Sequence, residues 1–252
     1  MTMPTIVDVR SIPPIAHKEA MRMAECEAGR LLDVVDELRD EDWARATDCD
    51  GWNVKALLSH VLGAMEGNAR ARTFVRQFAA ATKAAKRSGR PMIDEMTAQQ
   101  VRDHETLSPA KIRARLHHMA PAAVRGRRRT PALLRAVPMK PGDPIEGTWK
   151  FGYLIDVIMG RDYWMHRVDL TRATGAEMVL SAEHDGRIVA DIVAEWASGH
   201  GQPFTLRLDG PAGGLYGRGP EGEELDLDAI EFCRILSGRA PGAGLLDVDI
   251  PF

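Results

Sequence analysis

Between His17 and Leu38, apolar residues recur every three or four positions: Met21, Ala24, Ala28, Leu31, Leu32, Val35 and Leu38 form a stripe, with Glu25, Glu27, Arg30, Asp33 and Asp36 between them. That period predicts an amphipathic helix with one buried face. The residues before it, 1 to 16, carry Pro4, Pro13 and Pro14 and read as an extended lead-in. After a loop from Arg39 to Gly51, a second helix is predicted to start near Trp52 and Asn53, with Val54, Leu57, Leu58, Val61, Leu62 and Met65 on its apolar face. Asn53 is placed to cap it, because an Asn side-chain oxygen accepts from a backbone N–H two or three residues on. The pattern continues past Asn68 through Phe74, Val75 and Phe78, and breaks over Lys83 to Pro91. A third helical region is predicted over Asp94 to Asp103 and Pro109 to Met119, the latter opened by Ser108 and Pro109, a cap followed by proline at the first helical position. Arg125 to Gly147, with Pro131, Pro138, Pro141 and Pro144, reads as a long irregular connection. A fourth helix is predicted from Thr148 to Thr174, stopped by Gly175.

The texture then changes. A helix fits Ala182 to Ala197, and Phe204 to Leu208 alternates as a strand does, followed by the turn Asp209-Gly210. Leu215 to Gly217 is its expected hairpin partner, Leu225 to Leu227 another short strand, and Asp228 the cap of a helix reaching Leu236. Leu246 to Ile250 is expected to close the chain as a last strand. The predicted fold class is therefore α+β: an N-terminal four-helix bundle over residues 1–177, then a small α+β C-terminal domain over 178–252. A bundle core can house a metal held by facing helices.

Composition narrows the function. Of 252 residues, 44% are hydrophobic and 27% charged, which is ordinary for a globular protein. The balance of 33 basic to 36 acidic residues leaves a formal charge of −3, with no global pull toward nucleic acid or a membrane surface. The local exception, Arg125-Gly126-Arg127-Arg128-Arg129, lacks interleaved aromatics and reads as a solvated loop or a basic rim for an anionic substrate. Cys26, Cys49 and Cys233 are scattered and odd in number, which argues for a reducing compartment and against a disulfide framework. Cys49, just ahead of a helix, is either a reactive thiol or a buried small residue. No apolar run reaches the roughly 18 residues of a membrane span, and no signal segment opens the chain, so a cytoplasmic location is expected.

The chemistry concentrates in Gly160-Arg161-Asp162-Tyr163-Trp164-Met165-His166-Arg167-Val168-Asp169-Leu170. On a helix, Asp162 and His166 stand at i and i+4, on one face, with Cβ atoms about 6 Å apart. A carboxylate and an imidazole so placed can grip one metal ion, as paired histidines do in H-E-x-x-H helices. Asp169, three residues on, is placed to accept from the far imidazole nitrogen. A surface Asp–His pair without metal is the alternative when such a motif stands alone. A catalytic zinc site takes three protein ligands, and His60, between the buried Leu57 and Val61 rows, is the best third. His117 and His118 are adjacent, point apart and are weaker candidates.

Three features together resemble the mycothiol-dependent maleylpyruvate isomerase family. They are Gly51-Trp52-Asn53-Val54-Lys55-Ala56-Leu57-Leu58-Ser59-His60 with Trp43 ahead of it, then Asp162-x-x-x-His166-x-x-Asp169-Leu170, and Phe232-Cys233-Arg234-Ile235-Leu236-Ser237-Gly238-Arg239 near the end. The resemblance implies a DinB-like metal-binding bundle and a divalent metal, usually zinc, held by His60, Asp162 and His166. It implies mycothiol as thiol cofactor, an arginine of the C-terminal domain (Arg239 by motif) in the active cleft, and an actinobacterial source. One departure is that the family's acidic ligand is usually Glu, one methylene longer than Asp162. The implied function is a metal-dependent isomerase or S-transferase in which the metal holds the thiol as thiolate. Its partners would be a small thiol and an electrophilic or carboxylate-bearing substrate. Two other classes remain open on the residues alone: a metal- or ligand-binding protein without turnover, and a metal-dependent hydrolase using Glu66 or Asp169 as base. An exposed apolar stripe on such a bundle is compatible with a homodimer.

Overall fold

The computed structural model describes residues 5–141 and 147–252; Pro4 and Pro144, read above as parts of irregular segments, lie outside them. The chain forms two compact units, Ala16–Met178 and a second made of Val179–Phe252 with the residues up to Ile15. The lead-in is thus part of the second unit: it carries β1 (Val7–Asp8), a short edge strand.

The first unit is helical. It runs through α1 (His17–Glu37), α2 (Val54–Ala69), α3 (Ala71–Ser88), α4 (Met92–His104) and α5 (Pro109–Arg128). Next come α6 (Ala132–Arg135), the ribbon β2 (Pro138–Met139) and β3 (Trp149–Lys150), and α7 (Phe151–Tyr153). A π-helical turn (Leu154–Ile158) then leads into α8 (Met159–Thr174). Helices α1, α2, α5 and α8 make the four-helix bundle, with α3 and α4 laid beside α2. Its core holds Leu31, Leu57, Leu58, Leu62, Ile112, Leu116 and Leu170, all shut off from solvent. Each such side chain contributes roughly 1.5–3 kcal/mol by burial. A buried ion pair fixes α8 on α1: Arg167 Nε and Nη2 donate to the two carboxylate oxygens of Glu27 at 2.7 and 3.0 Å. Both partners are almost fully buried, and such a pair is a specific latch, because separating it would strand a charge in the core.

Three expectations shift. The long second helix is two helices, because Arg70 takes an extended conformation (φ −141°, ψ 112°) that interrupts the ladder. The Arg125–Arg129 run is not loop at its start: α5 continues to Arg128, and Arg127 is buried while Arg128 pairs with Glu25. Gly126 allows this, since a Cβ there would drive into the backbone carbonyl of Asn68 on α2. Last, the fourth helix is not uniformly α, the extra residue of the π-turn resetting the phase before α8.

The second unit holds α9 (Asp185–His200), β4 (Phe204–Asp209), β5 (Gly214–Arg218), β6 (Glu223–Asp228) and α10 (Ala229–Leu236). The sheet order is β1-β5-β4-β6. Strands β4 and β5 form the expected hairpin, Leu206 opposite Tyr216, while β1 adds parallel to β5 and β6 parallel to β4. Trp196 of α9 stands edge-on to Phe204 and Phe232, with ring centroids 4.7 and 5.4 Å away. Leu246–Ile250 is not a strand. A short 3-10 turn (Gly244–Leu246) precedes it, and Ile250 N–H donates to Leu236 O at the end of α10. With β6 seated beside β4, the tail is held by the helix rather than by the sheet.

Candidate metal centre

Helices α2 and α8 supply the candidate ligands, α4 an outer partner, and one loop a wall of the site. The loop before α2 is cross-braced: Thr47 N–H and Oγ1 both donate to Trp52 O, and Trp52 N–H donates to Cys49 O. Gly51 turns it with φ +72°, a left-handed conformation that favours glycine. Asn53 then caps α2, its side chain accepting from Ala56 N–H at 2.9 Å. The same loop is pinned to the end of α8 by Arg45, which donates to the carbonyl oxygens of Ala173 and Thr174, and by an Arg172–Asp48 pair.

His60 of α2 and Asp162 and His166 of α8 come together with one donor atom each within 4.8 Å of the others. Their arrangement is specific. His60 Nε2 lies 3.6 Å and His166 Nε2 3.3 Å from the same oxygen, Asp162 Oδ1. The outer imidazole nitrogens are each engaged: His60 Nδ1 lies 2.8 Å from Gln100 Oε1, and His166 Nδ1 3.1 Å from Asp169 Oδ2. Both outer partners accept, so each Nδ1 carries a proton and each Nε2 faces the shared centre. The imidazoles meet edge to face at 5.0 Å, and the Trp52 ring lies 5.2 Å from His60 and 6.4 Å from His166.

The electrostatics agree with a place built for a cation. Burial opposes ionisation of Asp162, but the two imidazoles beside it more than offset this and hold its carboxyl far below the usual range. Burial likewise opposes charge on His166, and the Asp162 carboxylate overrides it, driving that imidazole well up. Asp162 Oδ2 is buried with no hydrogen-bond partner among the described residues. A buried carboxylate oxygen without a partner is costly. Two imidazole Nε2 atoms and a carboxylate are a donor set suited to zinc and other divalent first-row metals, which take the place of the proton that Asp162 favours on His166. The residues present therefore fit the metal that the motif spacing suggests.

Sequence reasoning did not find all of this lining. Gln100, on α4, and Trp52 as a wall were missed; neither spacing nor composition marks a residue that acts across a tertiary contact. Cys49 is half-buried rather than buried, with Sγ 3.2 Å from Asp169 Oδ2 and 3.9 Å from His166 Nδ1, behind the imidazole. His117 lines nothing here: it is exposed and pairs with Asp36 at 2.8 Å. Arg239 belongs to the second unit, just past α10, where its N–H donates to Arg234 O and its carbonyl accepts from Arg234 Nη2. The candidate bases are both engaged: Glu66 contacts His104 and Arg115, and Asp169 holds His166.

A four-helix bundle with a His, Asp, His cluster between two of its helices, joined to a small α+β unit, defines a DinB-like protein class. Within it, the model of the mycothiol maleylpyruvate isomerase N-terminal domain matches residues 24–171, more than half the chain, and the chain belongs to that family. Among solved structures, the crystal structure of the mycothiol-dependent maleylpyruvate isomerase is similar, with a TM-score of 0.58, 18% identity and 93% of each chain covered. A histidine-to-alanine mutant of that enzyme gives a TM-score of 0.58, 17% identity and the same coverage. At such identity the likeness shows the shared fold. A sequence search among curated proteins finds no match. Among the described residues, no helix is long and apolar enough to cross a membrane.

Proposed function

We propose that this protein is a metal-dependent enzyme that uses mycothiol in an isomerase or S-transferase reaction, with His60, Asp162 and His166 holding a divalent metal, zinc by preference. The observation that carries the reading is the convergence of two imidazole Nε2 atoms on one carboxylate oxygen, each with its Nδ1 tied to an outer acceptor. A metal bound there supplies Lewis acidity that keeps a thiol ionised near neutral pH or polarises a carbonyl. The chain's own residues set the stage for that chemistry. Gln100 and Asp169 fix the orientation of the two imidazoles, and His166 gives up the proton that Asp162 favours on it when a metal enters the site. Trp52 packs against both rings and shields them from water. Asp162, the most exposed of the three at 18% of its side chain, marks the side from which a thiol approaches. For a cis–trans isomerisation the thiolate sulfur adds to the activated double bond, the new single bond rotates, and the same sulfur leaves, so atoms balance without a second reactant. Arg239 is the residue we assign, by family motif, to hold the substrate carboxylate. The location proposed is cytoplasmic, where a reduced thiol cofactor persists.

Hydrolysis is disfavoured by the commitments of its two candidate bases, Glu66 to Arg115 and His104 and Asp169 to His166. The test is metal content by elemental analysis on tag-free protein, followed by mycothiol-dependent turnover of maleylpyruvate. Wild type is expected to hold one metal per chain, His60→Ala and His166→Ala none, and Asp169→Asn to bind it about 10–100-fold more weakly. A wild type that takes up no metal even when zinc is offered sinks the reading. Metal bound without any thiol-dependent turnover would leave a metal-binding protein and end the enzymatic part of it.

A further inference from the structure

The helical unit has a cavity of about 560 Å³ lined by Glu66, Arg70, Arg72, Thr73, Arg76 and Arg115. None of these belongs to the histidine cluster. The volume falls within the range of small-molecule sites, roughly 300–1,000 Å³, and the lining is four guanidiniums against one carboxylate. That carboxylate is already neutralised: one Glu66 oxygen bonds Arg115 Nη2 and the other lies 3.3 Å from His104 Nε2. Burial opposes its ionisation, yet His104 and Arg115 pull its carboxyl below the ordinary value. Glu66 therefore answers Arg115 and cannot also balance the others. Arg76 reaches Asp103 only at 3.9 Å, beyond a hydrogen bond. Arg70 and Arg72 have no acidic or hydrogen-bonded side-chain partner among the described residues.

Arg70 and Arg72, without a counter-charge among the described residues, and Arg76, only loosely paired with Asp103, repel one another around one cavity, and the cavity focuses their field. The chain as a whole carries −3, so the excess is local. Guanidiniums are the groups that recognise phosphate and carboxylate in bidentate fashion. Among the described residues no aromatic side chain lines the cavity, so these residues offer no stacking platform of the kind a nucleic-acid strand uses. We propose that this cavity is a binding site for a small, multiply charged anion, either a phosphate ester or a polycarboxylate.

Isothermal titration of the full chain with inorganic phosphate and, separately, with tricarballylate distinguishes the two sources, both probes being weak metal chelators. One saturable site per chain is expected, for at least one probe, with affinity that falls as salt rises. The Arg72→Gln/Arg76→Gln double variant and, independently, Arg70→Gln should bind about tenfold more weakly or worse, which is ~1.4 kcal/mol. All three positions are exposed, so thermal melts of these variants should match wild type. Binding should persist in His166→Ala. No saturable binding of either probe up to about 10 mM, where affinity would be below ~3 kcal/mol, overturns the proposal. So does wild-type affinity in both arginine variants, or loss of binding in His166→Ala, which would place the anion at the histidine cluster instead. Failure here leaves the metal reading untouched, since that is decided by metal content.

Discussion

Among single residues, the chain shows two opposite solutions for buried charge. Arg167 and Glu27 satisfy each other by a two-point contact inside the bundle. Arg127 does not: it is 1% exposed, its Nε donates to Ile155 O in the π-turn, and its Nη1 and Nη2 find no partner among the described residues. Burial pushes its guanidinium down from its ordinary value. The acids whose charge it feels, Asp156 and Asp162, are already taken by His17 and Arg135 and by the two site histidines. An apolar side chain of similar length removes the desolvation cost of a buried, unpaired charge. Arg127→Met is accordingly expected to raise the urea midpoint at unchanged m-value, and a clear drop in that midpoint would show Arg127 to be fully satisfied. At this scale the sequence was informative about ligating types and silent about partners. Asp162 and His166 are four apart on any helix, but nothing local points from His60 to Gln100, forty residues away.

At the level of elements, helices α2, α4 and α5 are linked by polar contacts buried between them. His104 of α4 has Nδ1 2.7 Å from Gln100 O and Nε2 3.3 Å from Glu66 of α2, and Glu66 in turn bonds Arg115 of α5. Burial opposes charge on His104, and Glu66 more than offsets it, so the imidazole titrates above its ordinary value. A raised folded-state value means the protonated form stabilises the fold. That contribution is complete below the unfolded value near pH 6.5 and is lost as pH rises through the higher folded value. Glu66, shifted down, stays ionised across that window. Urea unfolding of wild type and His104→Gln from about pH 6 to pH 9 should therefore show a stability difference that shrinks with rising pH; a difference constant over the range would assign His104 a purely neutral role. Element types were largely legible because hydrophobic period reports which face is buried. Boundaries were less so: the break at Arg70 and the π-turn at Leu154–Ile158 are decided by packing, and no proline or side-chain cap marks either in the sequence.

For the molecule as a whole, the second unit draws on both ends of the chain. Strand β1 pairs parallel to β5, with Val7 opposite Tyr216, and Arg187 of α9 donates to Pro13 O. Removing residues 1–15 uncovers the edge of β5 and deletes that tie. Hydrogen exchange is expected to show lost protection at Gly214–Arg218 with α2 amides unchanged, because α2 lies in the other unit. Equal protection at β5 in both proteins would show that β1 contributes nothing to the sheet. The proline-rich start carried no strand signal, since a two-residue edge strand is too short for alternation to register and is defined only by its partner.

What the sequence alone determined is the order and type of the main helices, the β4–β5 hairpin, the α+β class and the Asp162–His166 pair, all of which rest on spacing within one element. Tertiary structure decided the rest: it brings His60, the third ligand expected from the sequence, to that pair, sets Gln100, Trp52 and Cys49 around it, buries Arg127 rather than leaving it solvated, and gathers four arginines around one cavity. The reason is physical. Local period depends on residues a turn apart, whereas a site depends on side chains brought together by burial of surfaces far apart in the chain, and no short window of sequence contains both.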